Sequence, residues 1–514
     1  MPFPTVTATG LTVTSTAPLV LVDTDDNQLH RFLDGTLMLP KAGGGILKST
    51  TNGSSWTDLH TTPWANNTAY SVGDSVINTG ITPPSTSRDE TSGYYQCLEA
   101  HTSPAGPTTM TQALAAASSR WGGRVGPAQG GHKMAIELGN DETISIRRTL
   151  VGDTNPYDNF ALTSNNQWQT SDEIEITANI PLATGLAGDA GDTEDSMLFH
   201  HGLVHTPDGH LLATLYGCYI GDTQFADGYP TAFNFRKYRT IVLKSADQGV
   251  TWTTPVTVGY NEMLARGTNP DSQVRTYAAA PAITLEGMAE GELVYTLAGD
   301  LLCFMRSGSR NSFTEAYVPP TPLYMARSLD NGLSWDTPRY VVGLGSNPNA
   351  VQLASGVIIL VYGHPGGRIV FSIDNGQTWI GDTQLTTSSN YIDIVALDHQ
   401  TAGVVYYSGA DNSWVFAEIK VTRPGYPILP EIFFVANPPF ISSGQTTNLC
   451  IEAQNATNGL IYGGTFGSTG QSISTSLVTS VGPLTQSTNY RLKFESASDP
   501  GYYREKTITV NVST

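Results

Sequence analysis

Charged side chains are scarce in this chain, and basic ones are the scarcest. Only 14% of the 514 residues are charged, and 26 Lys and Arg stand against 45 Asp and Glu, for a formal net charge of −19. Such a surface repels phosphate groups, so we expect neither nucleic acid nor a membrane as a partner. A local basic pocket that binds an acidic ligand remains compatible with this charge.

Cysteine is also rare, with four in the whole chain: Cys97, Cys218, Cys303 and Cys450. They are far apart and lack metal-ligand spacing, so the sequence predicts no metal site and no cofactor. Cys303 lies in the apolar run 301–305. Buried free thiols are therefore the favoured interpretation, and a disulfide is the alternative.

Long apolar runs are missing, and no segment has the length that crosses a bilayer. The first residues, Met1 to Val6, lack the basic region and apolar core of a secretion signal. The Thr/Ser/Gly/Asn-rich, Lys-poor composition is nevertheless typical of extracellular proteins. We expect an extracellular or virion protein, such as a phage tail component released by lysis; a trimmed chain is the alternative.

A repeated octapeptide, Ser-x-Asp-x-Gly-x-Thr/Ser-Trp, is the most informative feature present. Three full copies occupy 245–252, 328–335 and 372–379, and a near copy with Thr51 in place of Asp occupies 49–56. Asp and Ser side chains bond nearby backbone, Gly accepts positive φ, and Trp packs the turn onto its sheet. A degraded copy occupies 164–170. A repeated turn predicts a repeated sheet, and hence an array of β units.

The rest of the pattern is also that of β structure. With 52 Gly and 30 Pro, the composition favours short strands and many turns over long helices. Hairpins are predicted at 203–216, 354–362 and 391–407. When hairpins are counted along the whole chain, with one sheet for each pair of hairpins, the total is about six sheets. This number lies within the range of β-propellers.

Residues 58–122 are predicted to be an inserted module. They contain Trp64, the run Tyr-x-x-Gly-Asp-x-Val at 70–76, Tyr94, a Tyr-Gln-Cys run and a closing Trp121. This pattern resembles small chitin-binding-type carbohydrate modules, which implies that aromatic side chains such as Trp64 and Tyr94 stack on sugar rings. A small aromatic core without a ligand is an equal alternative.

Composition shifts again after Val421. Residues 423–430 form a Pro-rich joint, and short alternating strands separated by turns follow it. Residues 423–514 are therefore predicted to form a β-sandwich. The closing Ile-Thr-Val-Asn-Val resembles bacterial immunoglobulin-like modules, which are spacers or adhesive units.

The octapeptides resemble the Asp-boxes of the sialidase family. The likeness covers about 18–56 and 132–421, and it implies an all-β, sialidase-like six-bladed β-propeller made of residues 1–57 and 123–422. In that family the Asp-box is structural and lies away from the active site. It therefore predicts fold more strongly than function.

The resemblance also implies a site. Sialidases hold a sugar carboxylate with three arginines and use a Tyr nucleophile activated by a Glu, with an Asp as acid/base. The matching candidates are Arg148, Arg306, Arg368, Tyr391, Glu315 and Asp153. The family's Phe/Tyr-Arg-Ile-Pro motif is replaced here by Ile-Arg-Arg-Thr at 146–149. The alternatives are ion pairs between blades for the arginines and a core position for Tyr391.

A second cluster lies within one predicted unit. Its members are His200, His201, His205, Tyr216, Tyr219, Arg236 and Arg239. His and Tyr can act as base and acid in β-elimination of uronic acids while Arg neutralises the carboxylate. His201, Tyr219 and Arg239 are the candidates for such a polysaccharide lyase site, whereas His205 and His210 flank a turn.

The sequence thus predicts a glycan-recognising protein that acts on an acidic cell-surface polysaccharide, with a sialidase-like glycosidase as the leading interpretation. The alternatives are a non-catalytic receptor-binding protein of a phage tail fibre or spike, and a lyase on the same fold. Expected partners are a surface glycan, two further copies in a homotrimer, and other virion proteins.

Overall fold

The computed structural model describes 8–21, 29–40, 46–59, 69–70, 75–77, 94–97, 101–102, 121–123, 134–139, 141–146, 150–151, 160–168, 171–180, 197–223, 236–260, 287–307, 310–311, 316–317, 322–343, 345–363, 366–388 and 391–513. These residues form strands and turns, with one 3-10 turn at Gly464–Phe466. The all-β prediction is confirmed. No helix among the described residues has the length and apolarity needed to cross a membrane.

In the described residues, six sheets follow one another along the chain, each built on four antiparallel strands. The first contains His30–Arg31, Leu37–Pro40, Ile46–Ser49 and Thr57–Asp58. The second contains Ala135–Gly139, Glu142–Ile146, Phe160–Ser164 and Asp172–Glu175. The third contains Met197–His205, Leu211–Gly217, Arg239–Ser245 and Thr251–Gly259, flanked by Leu150–Val151 and Thr177–Ala178.

The other three sheets repeat this plan. The fourth contains Ala289–Tyr295, Leu301–Arg306, Leu323–Ser328 and Arg339–Val342. The fifth contains Ser346–Gln352, Ile358–Gly363, Gly367–Ser372 and Ile380–Thr386. The sixth contains Ile392–Ala396, Thr401–Ser408 and Ser413–Thr422, and its fourth position is taken by Thr12–Ser15, with Leu19–Val20 beside it. The two ends of this region of the chain are thereby joined in one sheet.

Burial along the strands explains how the sheets stack. Every residue of Ile358–Gly363 is buried, as expected of a strand whose two faces are both covered. Its odd-numbered residues Ile359 and Val361 pack against the sixth sheet, and its even-numbered residues Ile358 and Leu360 pack against the fourth. The side-chain alternation of a strand thus serves both neighbours at once.

The same two-sided packing continues through all six sheets. One shared apolar cluster lies between each successive pair, from the first and second sheets to the fifth and sixth. A further cluster joins the sixth sheet, through Val405 and Phe416, to Leu37 and Leu39 of the first. Each sheet is therefore buried against two neighbours.

The octapeptide turns all connect the third strand of a sheet to the fourth. In the third sheet, Ser245 Oγ accepts the Gly249 N–H at 2.9 Å, and Asp247 accepts the Thr251 N–H at 2.8 Å. The Trp252 indole donates to the Gly249 carbonyl at 2.8 Å. The bonds to Ser and Asp recur at 328–334 and 372–378. The repeated sequence therefore forms one repeated turn.

The degraded copy in the second sheet forms a related turn. Ser164 Oγ accepts the backbone N–H of Trp168, which occupies the glycine position with φ 62°. Its side chain is fully buried and packs with Phe32, Met38 and Ile46 of the first sheet. In the other turns the residue at this position is a glycine that lies against the preceding sheet. In the second sheet the same position is occupied by Trp168.

Between the first and second sheets, the described residues form five short strands in two small sheets: Ala69–Tyr70 with His101–Thr102, and Ser75–Ile77 with Tyr94–Cys97 and Trp121–Gly123. The register places Val76 opposite Tyr95 and Trp121 opposite Cys97. Another small pair joins Arg310–Asn311 to Ala316–Tyr317. Backbone pairing therefore brings the segments 75–77, 94–97 and 121–123 of the aromatic motif into one sheet.

Beyond the joint, two sheets share one apolar core. One contains Glu431–Asn437, Gln445–Gln454 and Ser476–Leu484. The other contains Phe440–Ser442, Tyr503–Ser513, Thr488–Ser496, Ala456–Tyr462 and Gln471–Ile473. Phe434 from the first and Phe494 from the second lie in their common core. We call this unit the C-terminal sandwich.

Candidate functional site

The six sheets have two distinct ends. We call the end that carries the octapeptide turns the turn end, and the other the opposite end. The C-terminal sandwich contacts the turn end: Asn437 Nδ2 donates to the Gly139 carbonyl at 3.0 Å, and the Thr509 N–H donates to the Pro207 carbonyl at 3.2 Å. Asn511 Nδ2 donates to the Asp208 carbonyl at 2.9 Å. The C-terminal sandwich therefore covers part of the turn end.

Three first strands share the same irregularity near the opposite end. His201, Glu290 and Asn347 have φ values of 52°, 52° and 47° in the third, fourth and fifth sheets. At each position the pairing with the second strand shifts register, as in a β-bulge. A bulge re-aims a side chain, and non-glycine residues with positive φ are concentrated at functional sites.

Glu290 is fixed by two neighbours. Its Oε1 lies 3.0 Å from Arg306 Nε, and its Oε2 accepts the Asn347 N–H at 3.0 Å. The side chains of Glu290 and Arg306 are 12% and 18% exposed. A buried carboxylate requires such compensation, because an unpaired buried charge is strongly destabilising. Glu290 thus contacts Arg306, a predicted site residue on the adjoining strand. It also contacts Asn347, which lies at the start of the fifth sheet.

Tyr391 lies at the same end of the sixth sheet and is 51% exposed, so it is not a core residue. It precedes Ile392, whose carbonyl accepts Asn349 Nδ2 at 2.7 Å from the fifth sheet. Buried Asp393 follows, and its Oδ2 accepts the Leu29 N–H at 2.8 Å from the first sheet. The first strands of the fourth, fifth, sixth and first sheets are thus linked through polar groups near Tyr391.

Arg368 has a different environment from Arg306. Its Nε donates to Asp382 Oδ1 at 2.9 Å, between the third and fourth strands of the fifth sheet. The Tyr362 hydroxyl donates to the same oxygen at 2.5 Å, and burial raises the pKa of Tyr362. Arg368 therefore makes an ion pair within its own sheet, while its side chain remains 24% exposed.

Part of the second predicted cluster lies at the opposite end of the third sheet, whereas His205 ends its strand at the turn end and contacts the Glu137 carbonyl there. The rings of His200 and His201 lie 3.8 Å apart, and both residues are buried. Arg239 donates through Nε to Asp222 at 3.2 Å, and its guanidinium lies over the rings of Tyr219 and Tyr260 at 4.7 and 3.9 Å. A second guanidinium nitrogen also pairs with Asp222. The charge of Arg239 is thus balanced within the protein.

Burial also raises the pKa of Tyr219 above its ordinary value. This favours the neutral phenol, which can donate a proton but is a poor base. The described part of the cluster therefore contains a buried histidine pair and a neutral phenol beside an arginine already bound to a carboxylate.

Several predicted residues lie outside the described residues: Arg148, Asp153, Glu315 and Trp64. For Tyr94 only the backbone strand is described. Three buried polar residues of the opposite end were missed in the sequence: Glu290, Asn347 and Asp393. A signal for Glu290 existed, since Glu290-Gly291 precedes an apolar strand just as His201-Gly202 does.

Of the four cysteines, Cys218 and Cys303 are buried free thiols, in agreement with that interpretation, and Cys450 is also buried. No group of three or more His, Cys, Asp or Glu in the described ranges could hold a metal ion.

No protein-family model matches the chain, and no curated protein matches its sequence. Solved glycosidase structures are similar to it. The α-L-arabinofuranosidase Arb93A from Fusarium graminearum has 10% identity and a TM-score of 0.41, covering 79% of this chain and 98% of its own. The Hadza microbial sialidase Hz136 has 15% identity and a TM-score of 0.39, covering 77% and 65%.

The NanB sialidase from Streptococcus pneumoniae has 12% identity and a TM-score of 0.35, covering 82% of this chain and 71% of its own. A protein of unknown function from Dyadobacter fermentans reaches 0.41 at 13% identity, covering 80% and 99%. TM-scores below 0.5 do not establish a shared fold, so no activity follows from these likenesses.

Proposed function

We propose that this protein is a glycan-acting hydrolase built on a six-bladed β-propeller, with its site at the opposite end of the sheets. The propeller is supported by six four-stranded sheets, each buried against two others, and by the cluster that joins the sixth sheet to the first. The inserted module would add a carbohydrate contact, and residues 423–514 an immunoglobulin-like unit on the turn end.

The observation that carries the proposal is the Glu290–Arg306 pair at the bulge of the fourth sheet. Burying a charged pair and bending the first strand both cost free energy, and structural packing alone is served better by apolar residues. The same bulge in two neighbouring sheets places His201 and Asn347 at equivalent positions. Polar residues thereby occupy the same bulge position in three successive sheets.

The resemblance to sialidases asks for a glutamate that activates the nucleophilic tyrosine. We assign this role to Glu290 in place of Glu315, because Glu290 is held in a polar network that continues through the fifth sheet to Ile392, next to Tyr391. Tyr391 is exposed, as a nucleophile must be. Asp153 remains the proposed acid/base, and Arg148 and Arg368 remain the proposed partners of Arg306 in binding an acidic sugar.

A non-catalytic glycan receptor, such as a phage tail fibre or spike protein, is the second candidate. The ion pair of Arg368 with Asp382 favours this candidate, because it occupies one of the three arginines that would bind the sugar carboxylate in a sialidase. The lyase alternative depends on Arg239, which pairs with Asp222 through two of its nitrogens, whereas Arg306 contacts Glu290 through Nε. Binding without cleavage would be sufficient for host recognition.

The test is incubation with acidic bacterial surface polysaccharides, followed by assays for new reducing ends and for the ultraviolet absorbance of an unsaturated uronate. Hydrolysis gives reducing ends alone, and elimination gives both signals. We expect hydrolysis, with Glu290→Gln lowering the rate about 100-fold or more, as for loss of a general base. Tyr391→Phe should abolish it.

The matched control is Glu505→Gln, a surface carboxylate of the C-terminal sandwich that pairs with Arg491. It should leave the rate unchanged. Retained binding without either product would establish the receptor instead. Full hydrolysis by both Glu290→Gln and Tyr391→Phe would show that the site has been placed wrongly.

A further inference from the structure

A cleft with both polar and apolar walls separates the fifth and sixth sheets at the opposite end. It encloses about 240 Å³ and is lined by the end of the strand Ile380–Thr386 with Thr387 and Ser388, by the hairpin residues Ser408 to Asp411, and by Tyr406 and Pro18. It does not contain the Glu290–Arg306 pair.

The cleft lies next to Tyr391. Tyr406 in its wall is directly opposite Ile392 in the register of the sixth sheet, and Ile392 follows Tyr391 in the chain. Neighbouring strands are about 4.8 Å apart, so one strand spacing separates this wall from the strand that Tyr391 precedes. A polymer bound at Tyr391 can therefore extend into the cleft.

The residues that line the cleft favour a neutral ligand with many hydroxyl groups. Among the described residues of the wall there is no Lys, Arg or His, and the charged residue is Asp411. The Ser408 hydroxyl donates to Asp411 Oδ2 at 2.7 Å, which fixes this carboxylate at the hairpin. A carboxylate accepts hydrogen bonds from sugar hydroxyls and repels an anion. Gln384 and Ser388 add further polar groups.

Gly409 controls the width of the cleft. A Cβ atom at this position would lie 1.9 Å from Ser388 Oγ, so even alanine would force the Ser388 side chain to move. The hairpin and the end of the fifth sheet therefore approach closely only because residue 409 has no side chain.

We propose that this cleft is a subsite for a neutral sugar residue of the glycan, adjoining the position of Tyr391; its place beside a reacting bond rests on the proposed function. The substrate class that follows is a heteropolysaccharide in which a neutral residue neighbours the acidic one.

The test is saturation-transfer NMR of the full chain with galactose, glucose, N-acetylglucosamine and glucuronate, each added alone. We expect one or more of the neutral sugars to bind and glucuronate to bind more weakly. Asp411→Ala removes a charged acceptor and should weaken binding about tenfold or more. Gly409→Ala should weaken it by displacing Ser388, without removing a polar group of the wall.

Glu505→Ala serves as the control and should bind like the wild type. The inference is overturned if no neutral sugar binds, if glucuronate binds equally well, or if both cleft variants keep wild-type affinity. Binding that depends on Asp411, in a protein that cleaves no polysaccharide, would sustain the subsite and refute the hydrolase. Cleavage of polysaccharide with unchanged rates and affinities in both variants would support the hydrolase and refute the subsite.

Discussion

Replacement of Gly53 by alanine tests whether the first and sixth sheets are neighbours. Gly53 has φ 86°, and a Cβ atom there would lie 2.1 Å from Phe416 Cε1 of the sixth sheet. The left-handed backbone costs an alanine about 1 to 2 kcal/mol. Forcing an extra carbon against a buried ring adds about 1 to 3 kcal/mol.

Gly35 provides a matched control within the same sheet. Its φ is 89°, but no atom lies within 4 Å of the Cβ position. Gly35→Ala therefore carries the backbone cost without the clash. We expect Gly53→Ala to lower the free energy of unfolding by about 1 to 3 kcal/mol more than Gly35→Ala does. Urea denaturation of both variants and the wild type measures this difference.

A double variant sharpens the test. Phe416→Ala is itself destabilising because it leaves a cavity, but it removes the ring that Gly53 meets. In that background Gly53→Ala should cost only the backbone strain, which gives a coupling energy between the two positions. Equal destabilisation by Gly53→Ala and Gly35→Ala, with no coupling to Phe416, would refute the contact between the sixth and first sheets.

Three further predictions concern the buried Glu137, the contact of Asn437 with Gly139, and the ion pair of Arg368 with Asp382. Burial raises the pKa of Glu137 to about 8, so its contribution to stability is full below about pH 4.5 and is lost as the pH rises through 8. Glu137→Gln should remove up to about 5 kcal/mol of this pH dependence, measured by denaturation between pH 4.5 and 8.5. Asn437→Ala breaks the bond to Gly139 and should speed proteolysis of the joint before the sandwich, whereas unchanged cleavage would contradict that docking contact. Arg368→Ala should weaken binding of an acidic oligosaccharide in calorimetry if Arg368 exchanges Asp382 for the ligand; unchanged binding would leave it a structural ion pair.

The repeated turns were predictable because their interactions are local. Ser245 and Asp247 bond backbone groups within six residues, so the octapeptide carries its own conformation. The near copy at 49–56 keeps the turn with Thr51, whose hydroxyl accepts the Ser55 N–H at 3.0 Å in place of a carboxylate. Even the degraded copy at 164–170 was recognisable, although Trp168 occupies the glycine position.

The candidate site was less predictable because it is assembled from residues on different strands. Arg306 was a candidate from its position at the end of an apolar strand, but its partner Glu290 lies on the adjoining strand, 16 positions earlier, at a bulge. The bulge arises from a register shift between two strands, so the contact between Glu290 and Arg306 depends on how those strands pair. Similarly, Arg239 gave no sign in the sequence of its pairing with Asp222 across a long connection.

The sequence by itself determined the all-β class and the position of the repeated turns, because strand alternation and turn chemistry act over a few residues. Tertiary structure decided which carboxylate holds each arginine, that Thr12–Ser15 completes the sixth sheet, and that the C-terminal sandwich packs on the turn end. These facts depend on contacts between residues up to about 400 positions apart, and such contacts are set by the packing of whole sheets.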